Sequence, residues 1–267
     1  MMAAKEPSLT ETVPQSLSPR SRRVGVGRKA INLVNSVIGF DIAQDAMILD
    51  FGCGAGATVY ELLDGGYRNT YGYDVRNYLR LRQESDRANF RIATRTETRL
   101  PFADGTFDLI ISNQVFEHVK DQATAFRELH RITKPGGHHM HIIPSGYSPY
   151  ERHRLVPLGI MIKQRWWWML WALLGVRNRN QQGMTAAQTA DDNMLYLVDC
   201  LNYVSTSAYK VLWRKLGFSF QFVHQQFFDS HSNLKVRTIG KVNRTIPIVG
   251  WLFRVLKVRY VYLQKRT

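Results

Sequence analysis

The stretch that most constrains this chain is Ile48-Leu49-Asp50-Phe51-Gly52-Cys53-Gly54-Ala55-Gly56. A short apolar run stops at three alternating glycines, and residues 58–63 then show helical spacing. An apolar run of this kind suits a strand buried on both faces of a parallel sheet. Glycines at its end allow a tight turn and close approach of the backbone to a ligand. Gly52, Gly54 and Ala57 also satisfy the dinucleotide spacing G-x-G-x-x-G/A, so the loop alone admits two cofactor classes.

The surrounding sequence alternates strand and helix. Apolar spacing at Ile31, Val34 and Ile38 predicts a helix before the loop. Strands are expected at 47–51, 70–75, 89–93, 107–112 and 139–143, with helices at 58–63, 78–84 and 123–132. The last helix should stop at Lys134-Pro135-Gly136-Gly137. A helix at 209–216, a strand at 218–223, a helix at 247–256 and a strand at 259–263 complete the pattern. Such alternation predicts an α/β protein with a mostly parallel sheet. Residues 1–23, rich in Ser, Pro, Thr and Arg, read as a flexible tail. Residues 24–267 read as a single domain, in which 146–205 break the rhythm as an inserted lid or substrate-binding segment. The chain has two cysteines, Cys53 and Cys200, so neither a disulfide framework nor a CxxC metal site is expected.

Two acids bear on the choice of cofactor. Asp50 stands at the strand end beside the loop, where its charge would oppose a pyrophosphate and attract an ammonium. Gly72-Tyr73-Asp74 ends the second strand, and Asp74 follows Gly56 by eighteen residues, close to the spacing at which an acid meets ribose hydroxyls. The loop and Asp50 together favour S-adenosylmethionine over a dinucleotide.

Four motifs, ILDFGCGAG, GYD, LPFADGTFDLIISNQVFEHV and LHRITKPGG, occur in order over residues 45–145. They resemble the class I S-adenosylmethionine-dependent methyltransferases, in the broad type-11 group that includes ubiquinone and menaquinone biosynthesis enzymes. The resemblance implies a Rossmann-like, doubly wound, mostly parallel seven-stranded sheet with an insertion after strand 5 and its last two strands antiparallel at one edge. It assigns Gly52, Gly54 and Gly56 to the methionine and ribose loop, Asp50 to the methionine end, Asp74 to the ribose and Val75 to the surroundings of adenine. Asn113 and Gln114 would line the methyl-donating side. The chain departs from the family where an Asp often contacts the adenine amine: Thr96 stands there, followed by Glu97, and either can accept that hydrogen bond.

Methyl transfer is an SN2 displacement on a carbon activated by the sulfonium, so the protein need only align the acceptor and, for some acceptors, remove its proton. Histidines near the carboxyl ends of the strands are the candidate bases. His118 follows the fourth strand, where capping or packing is a more ordinary role than catalysis. His153, at the start of the insertion, is the preferred base or substrate contact. His139 and His141 share one face of the fifth strand, but no third ligand stands at recognisable spacing, and no metal is assigned.

Charge separates the acceptor side from the cofactor side. Residues 45–145 carry twelve basic and thirteen acidic side chains, whereas 146–267 carry eighteen and five, within a total formal charge of +15. The inserted segment sets Lys163 and Arg165 beside Trp166, Trp167, Trp168 and Trp171. Tryptophan with flanking cations suits an anionic membrane interface, and it also suits the packed core of a lid. The resulting expectation is a methyltransferase for a small-molecule acceptor, lipid-linked or glycan-like, met at an anionic membrane surface. The basic half would also serve an RNA methyltransferase, but no RNA-binding module is present. A non-catalytic S-adenosylmethionine-binding module is the remaining alternative. Residues 1–23 lack the apolar core of a secretory signal, so a cytoplasmic protein, peripherally attached to membrane, is expected. Nothing in the sequence bears on the oligomeric state.

Overall fold

The computed structural model describes residues 25–93, 99–151 and 153–267. The expected tail, together with Thr96 and Glu97, lies outside the described residues. The chain folds through α1 (Val26–Ile38), β1 (Ile48–Phe51), α2 (Ala57–Asp64), β2 (Thr70–Asp74), β3 (Phe90–Ile92), β4 (Phe107–Asn113), α3 (Gln122–Ile132) and β5 (Thr133–Pro144). It continues through α4 (Arg165–Leu173), α5 (Ala186–Cys200), α6 (Thr206–Lys215), β6 (Phe218–Phe222), α7 (His224–Ser230), α8 (Leu234–Thr245), α9 (Ile248–Leu256) and β7 (Val258–Lys265).

The strands form one seven-stranded sheet in the order β3-β2-β1-β4-β5-β7-β6. Strands β1 to β5 pair in parallel, and β7 runs antiparallel to both β5 and β6. This is the doubly wound, Rossmann-like sheet expected, with its order reversing at β1/β4. Ligand sites of open α/β sheets lie at such a reversal, outside the carboxyl ends of the strands.

Two cores explain the continuous apolar runs. Leu49, Phe51 and Ile110 pack with Phe116, Phe126, Trp213 and Phe218 on one face. Ile48, Leu109, Ile111 and Met140 pack with α1 residues Ile31 and Val34 on the other. Neighbouring residues of β1 and β4 thus serve opposite faces, as period-two geometry requires. His139 and His141 lie on the first face, both fully buried. They form a closed chain of hydrogen bonds: Thr133 Oγ1 to His139 Nε2 (2.7 Å), His139 Nδ1 to His141 Nε2 (3.1 Å) and His141 Nδ1 to Ser112 Oγ (2.7 Å). Every imidazole nitrogen is occupied, so this pair is a satisfied core network.

Three local expectations need correction. The helix expected at 78–84 is absent; a 3-10 turn at Glu84–Asn89 stands just beyond it, closed by a reciprocal Gln83/Asp86 capping box. Arg82 is drawn away from a helical path by Asp64 (2.7 Å) and by stacking on Tyr60. Residues 134–137 do not separate α3 from β5. The strand begins at Thr133 and absorbs Gly136 at φ +73° through a register shift opposite Phe107/Leu109. Helices α7 and α8 fill 224–245, where no element was expected.

The insertion is a helical hairpin. Trp168 is fully buried with Val156 and Ala190, and Trp167, Trp171 and Met194 pack around them. Arg165–Asp191 and Arg154–Asp192 (both 2.6 Å) tie the strands of the hairpin together. Its two ends are held by one guanidinium: buried Arg259 on β7 donates to the Pro144 carbonyl (2.6 Å) and the Val204 carbonyl (2.8 Å). Most of the tryptophan cluster is therefore the core of this helical segment, and only part of it faces outward.

Candidate active site

The glycine loop is shaped by backbone conformations that favour glycine. Gly52, Gly54 and Gly56 sit at φ +79°, +52° and +85°. Gly52 and Cys53 both donate their N–H to the Tyr73 carbonyl (2.8 and 3.0 Å), which fastens the end of β1 to the end of β2. A Cβ on Gly52 would stand 2.3 Å from Val115, and one on Gly56 2.8 Å from Phe90. Gly54 differs: a Cβ there meets nothing within 4 Å. The loop is thus closely packed on its protein side and open at Gly54, where a ligand would pass.

Both predicted acids frame this opening. Asp50 is buried at the end of β1, and burial pushes its carboxyl up to about 7, opposed by a hydrogen bond from Thr58 and reinforced by the charge of Asp74. Asp74 accepts from Gly54 N (2.8 Å) and Arg76 N (3.0 Å), one bond to each oxygen, which leaves a lone pair on each for a ribose hydroxyl. A pyrophosphate at this loop would meet two carboxylates, whereas the ammonium and diol of S-adenosylmethionine would meet complementary groups. Val75, just past β2, is exposed. Asn113 ends β4 half-buried, and Gln114 beyond it holds the left-handed region at φ +56°, with its N–H on the Ile142 carbonyl (2.9 Å). A non-glycine residue held in that region next to a loop is a common mark of a functional position.

Past Gln114 the chain turns through a 3-10 segment, Phe116–His118, and meets the insertion. Here the two predicted histidines come together, their ring centroids 5.3 Å apart. Each is oriented through Nδ1: that of His118 lies 2.9 Å from the Cys200 carbonyl, and that of His153 lies 2.8 Å from Glu151. A carbonyl and an ionised carboxylate only accept, so both Nδ1 atoms carry a proton, and neither Nε2 has a hydrogen-bond partner among the described residues. Burial would raise the Glu151 carboxyl, but bonds from His153 and the Arg154 N–H outweigh it and hold that carboxyl below its usual range. Glu117 lies beneath the pair, fully buried, with no hydrogen-bond partner on either carboxylate oxygen among the described residues. Burial pushes its carboxyl up to about 7. One ligand atom each from Glu117, His118 and His153 lies within 4.8 Å of the others.

The cluster adjoins the cofactor end. The His118 ring, its pKa lowered chiefly by burial, also feels the charge of Arg76, whose amide binds Asp74. The segment between β5 and β6 is tied to the same stretch: Asn202 N donates to the Glu117 carbonyl (2.6 Å), and Lys120 Nζ to the Val198 carbonyl (3.0 Å). Sequence reasoning found both histidines but neither Glu151 nor the role of Glu117; no spacing rule links residues 117, 118, 151 and 153, which only the insertion brings together. A cavity of about 580 Å³ lined by His138, Tyr262 and Gln264 opens at the amino ends of the parallel strands, away from this site.

Residues 49–140 match the family model described as "Methyltransferase domain". Together with the sheet order and the loop, this marks residues 49–140 as a methyltransferase domain, with S-adenosylmethionine as its cofactor. The chain is 36% identical over 94 residues to a malonyl-[acyl-carrier protein] O-methyltransferase from Pseudescherichia vulneris, covering 35% of this chain and 37% of that protein. It is 31% identical over 114 residues to the mouse mitochondrial arginine-hydroxylase NDUFAF5, covering 42% and 33%. The chain spans less than half the length of the curated relatives it matches. Among solved structures, PKMT2 from Rickettsia typhi shares the fold, with a TM-score of 0.53 at 14% identity over 90% of this chain and 53% of that one.

Proposed function

We propose that this chain transfers a methyl group from S-adenosylmethionine to an amphiphilic acceptor, lipid-linked or glycan-like, that it meets at an anionic membrane surface. The observation that carries the reading is the placement of the Glu117/His118/His153 cluster between the cofactor loop and a lid whose outer face is apolar. When bound, the cofactor supplies an electrophilic methyl on a sulfonium. Asp50 and Asp74 orient it, Gly54 leaves it room, and His153, held through Nδ1 by Glu151, contacts the acceptor.

The lid supports the acceptor class. Trp166, Leu170, Leu173 and Leu174 fall at i, i+4, i+7 and i+8 along and just past α4, and all four are exposed, Leu173 to 70%. Lys163, Arg165 and Arg179 are exposed around them. An unpartnered apolar stripe with a basic rim suits the headgroup boundary of an anionic bilayer. A second exposed stripe, Ile248, Trp251, Leu252 and Leu256, lies on α9, whose end is bonded through Val255 and Lys257 to Ser145 at the root of the insertion. No described helix is long and apolar enough to cross a membrane, so attachment would be from one side.

Flotation with vesicles of phosphatidylglycerol and phosphatidylcholine checks this. The protein is expected to float with anionic vesicles and not with phosphatidylcholine alone, and the double change Trp166→Asp, Leu173→Asp should abolish flotation while leaving S-adenosylmethionine affinity unchanged. Absence of wild-type flotation on anionic vesicles would remove the membrane from the account.

A further inference from the structure

We propose that Glu117, His118 and His153 form a three-ligand site for a divalent transition metal, and that this metal holds the acceptor through an oxygen atom. The inference rests on the reading of this cluster as the acceptor side of a methyltransferase, and it goes beyond it by naming the donor set and the acceptor's contacting atom.

Three independent observations converge. The first is proximity: the donor atoms of the three side chains stand within 4.8 Å of one another, and His118 Nε2 is 4.0 Å from Glu117 Oε1. Metal bonds of about 2.0–2.2 Å place neighbouring ligands roughly 3.3 Å apart, so side-chain rotations closing each gap by about 1 Å would complete the site.

The second is orientation. A metal-bound histidine characteristically gives its other ring N–H to a carboxylate or a backbone carbonyl, which fixes the tautomer and the ring plane. His153 does so to Glu151 and His118 to the Cys200 carbonyl. Buried Glu151 is itself held by the Arg154 N–H. Two imidazoles from distant segments are thus prepared in the same way.

The third is Glu117. Its side chain is fully buried, and both oxygens lack a hydrogen-bond partner among the described residues. A carboxylate in that position costs several kcal/mol unless something charged meets it. A cation shared with His118 and His153 supplies that partner. Two imidazoles and one carboxylate suit zinc or ferrous iron and leave at least one coordination position open.

In that position an acceptor hydroxyl loses its proton to solvent, and its oxygen lone pair attacks the methyl carbon. The carbon–sulfur bond breaks with its electron pair remaining on sulfur. The products are a methyl ether, S-adenosylhomocysteine and one proton.

The test uses the full, untagged chain after chelator treatment, titrated with Co²⁺ while the visible d–d absorption is followed, with Zn²⁺ as competitor. One equivalent should bind and give an absorption band typical of imidazole ligation. Glu117→Gln and His153→Ala should lose the band, Glu151→Gln should weaken binding about 10–100-fold, and His231→Ala should keep it. Calorimetry with S-adenosylmethionine on each variant reports whether it is folded, and it also separates this inference from its premise: cobalt binding without cofactor binding would sink the methyltransferase reading and leave the metal site standing. Absence of a stoichiometric cobalt complex in the wild type, or an unchanged band in both Glu117→Gln and His153→Ala, overturns the site. A cobalt spectrum that catechol, used as a chelating hydroxyl probe, leaves unaltered overturns the assignment of an oxygen acceptor.

Discussion

Replacing Asp50 with Asn is expected to stabilise the ligand-free protein and weaken cofactor binding at the same time. Asp50 is buried at the end of β1, and burial raises its carboxyl from 3.8 to about 7. For an acid whose folded value lies above its unfolded one, the ionised form opposes folding. The penalty is absent below about pH 4, grows as pH rises, and is complete above about 7. A rise of that size corresponds to at most about 4 kcal/mol. Asn avoids the penalty, so the melting temperature of the variant should exceed that of the wild type by several degrees at pH 8, with the gain shrinking toward pH 4. The same charge attracts the methionine ammonium, and its loss should weaken S-adenosylmethionine binding about 10–100-fold at pH 8, as expected for a charge-assisted bond. Wild-type affinity should rise from pH 6 to pH 7.5 as Asp50 ionises, and that of the variant should stay flat. Thermal unfolding and calorimetry at three pH values check all of this. A variant that is less stable at pH 8 and binds normally would show that Asp50 is only a structural residue.

Gly52→Ala and Gly54→Ala should separate the protein side of the loop from its ligand side. Both glycines hold positive φ, but a methyl on Gly52 would collide with Val115 at 2.3 Å and a methyl on Gly54 would meet nothing within 4 Å. The left-handed backbone costs an alanine about 1–2 kcal/mol and overpacking adds about 1–3. Gly52→Ala is therefore expected to lower stability by about 2–5 kcal/mol, measured by urea unfolding. Gly54→Ala should lose only about 1–2 kcal/mol and remain folded, yet bind S-adenosylmethionine at least tenfold more weakly because its methyl occupies the ligand's path. Normal binding by Gly54→Ala would mean the cofactor does not cross the loop at that point.

The sheet was legible because its chemistry is local. Ile48, Leu49 and Phe51, like Leu109 to Ile111, put apolar side chains on both faces of their strands, which only burial on both faces demands, and the glycines mark where β1 ends. Asp50, Gly52, Gly54, Gly56 and Asp74 lie together at the ends of β1 and β2, joined by the bond from Gly54 N to Asp74. The misreadings arose where long-range contacts outweighed local pattern. Residues 78–84 carry apolar side chains at near-helical spacing, but Arg82 is claimed by Asp64 and Tyr60. Helix α8 presents many polar residues and few buried ones, so its apolar stripe was too thin to announce it. In the insertion, sequence could not divide the tryptophans between core and surface: Trp168 is wholly buried and Trp166 exposed, although they stand two residues apart. The histidine cluster was half legible. His118 and His153 stood out as histidines, while the convergence of Glu117 and Glu151 on them depends on Arg259 and Asn202 holding the insertion against the end of β4.

Calorimetry of the wild-type chain with S-adenosylmethionine, S-adenosylhomocysteine and NAD tests the central claim most directly. The account predicts that the first two bind at one site with unit stoichiometry, that NAD does not bind, and that Asp74→Ala weakens both ligands through the lost ribose contact. Binding of NAD in preference to S-adenosylmethionine, or S-adenosylmethionine binding unaffected by Asp74→Ala, would contradict it.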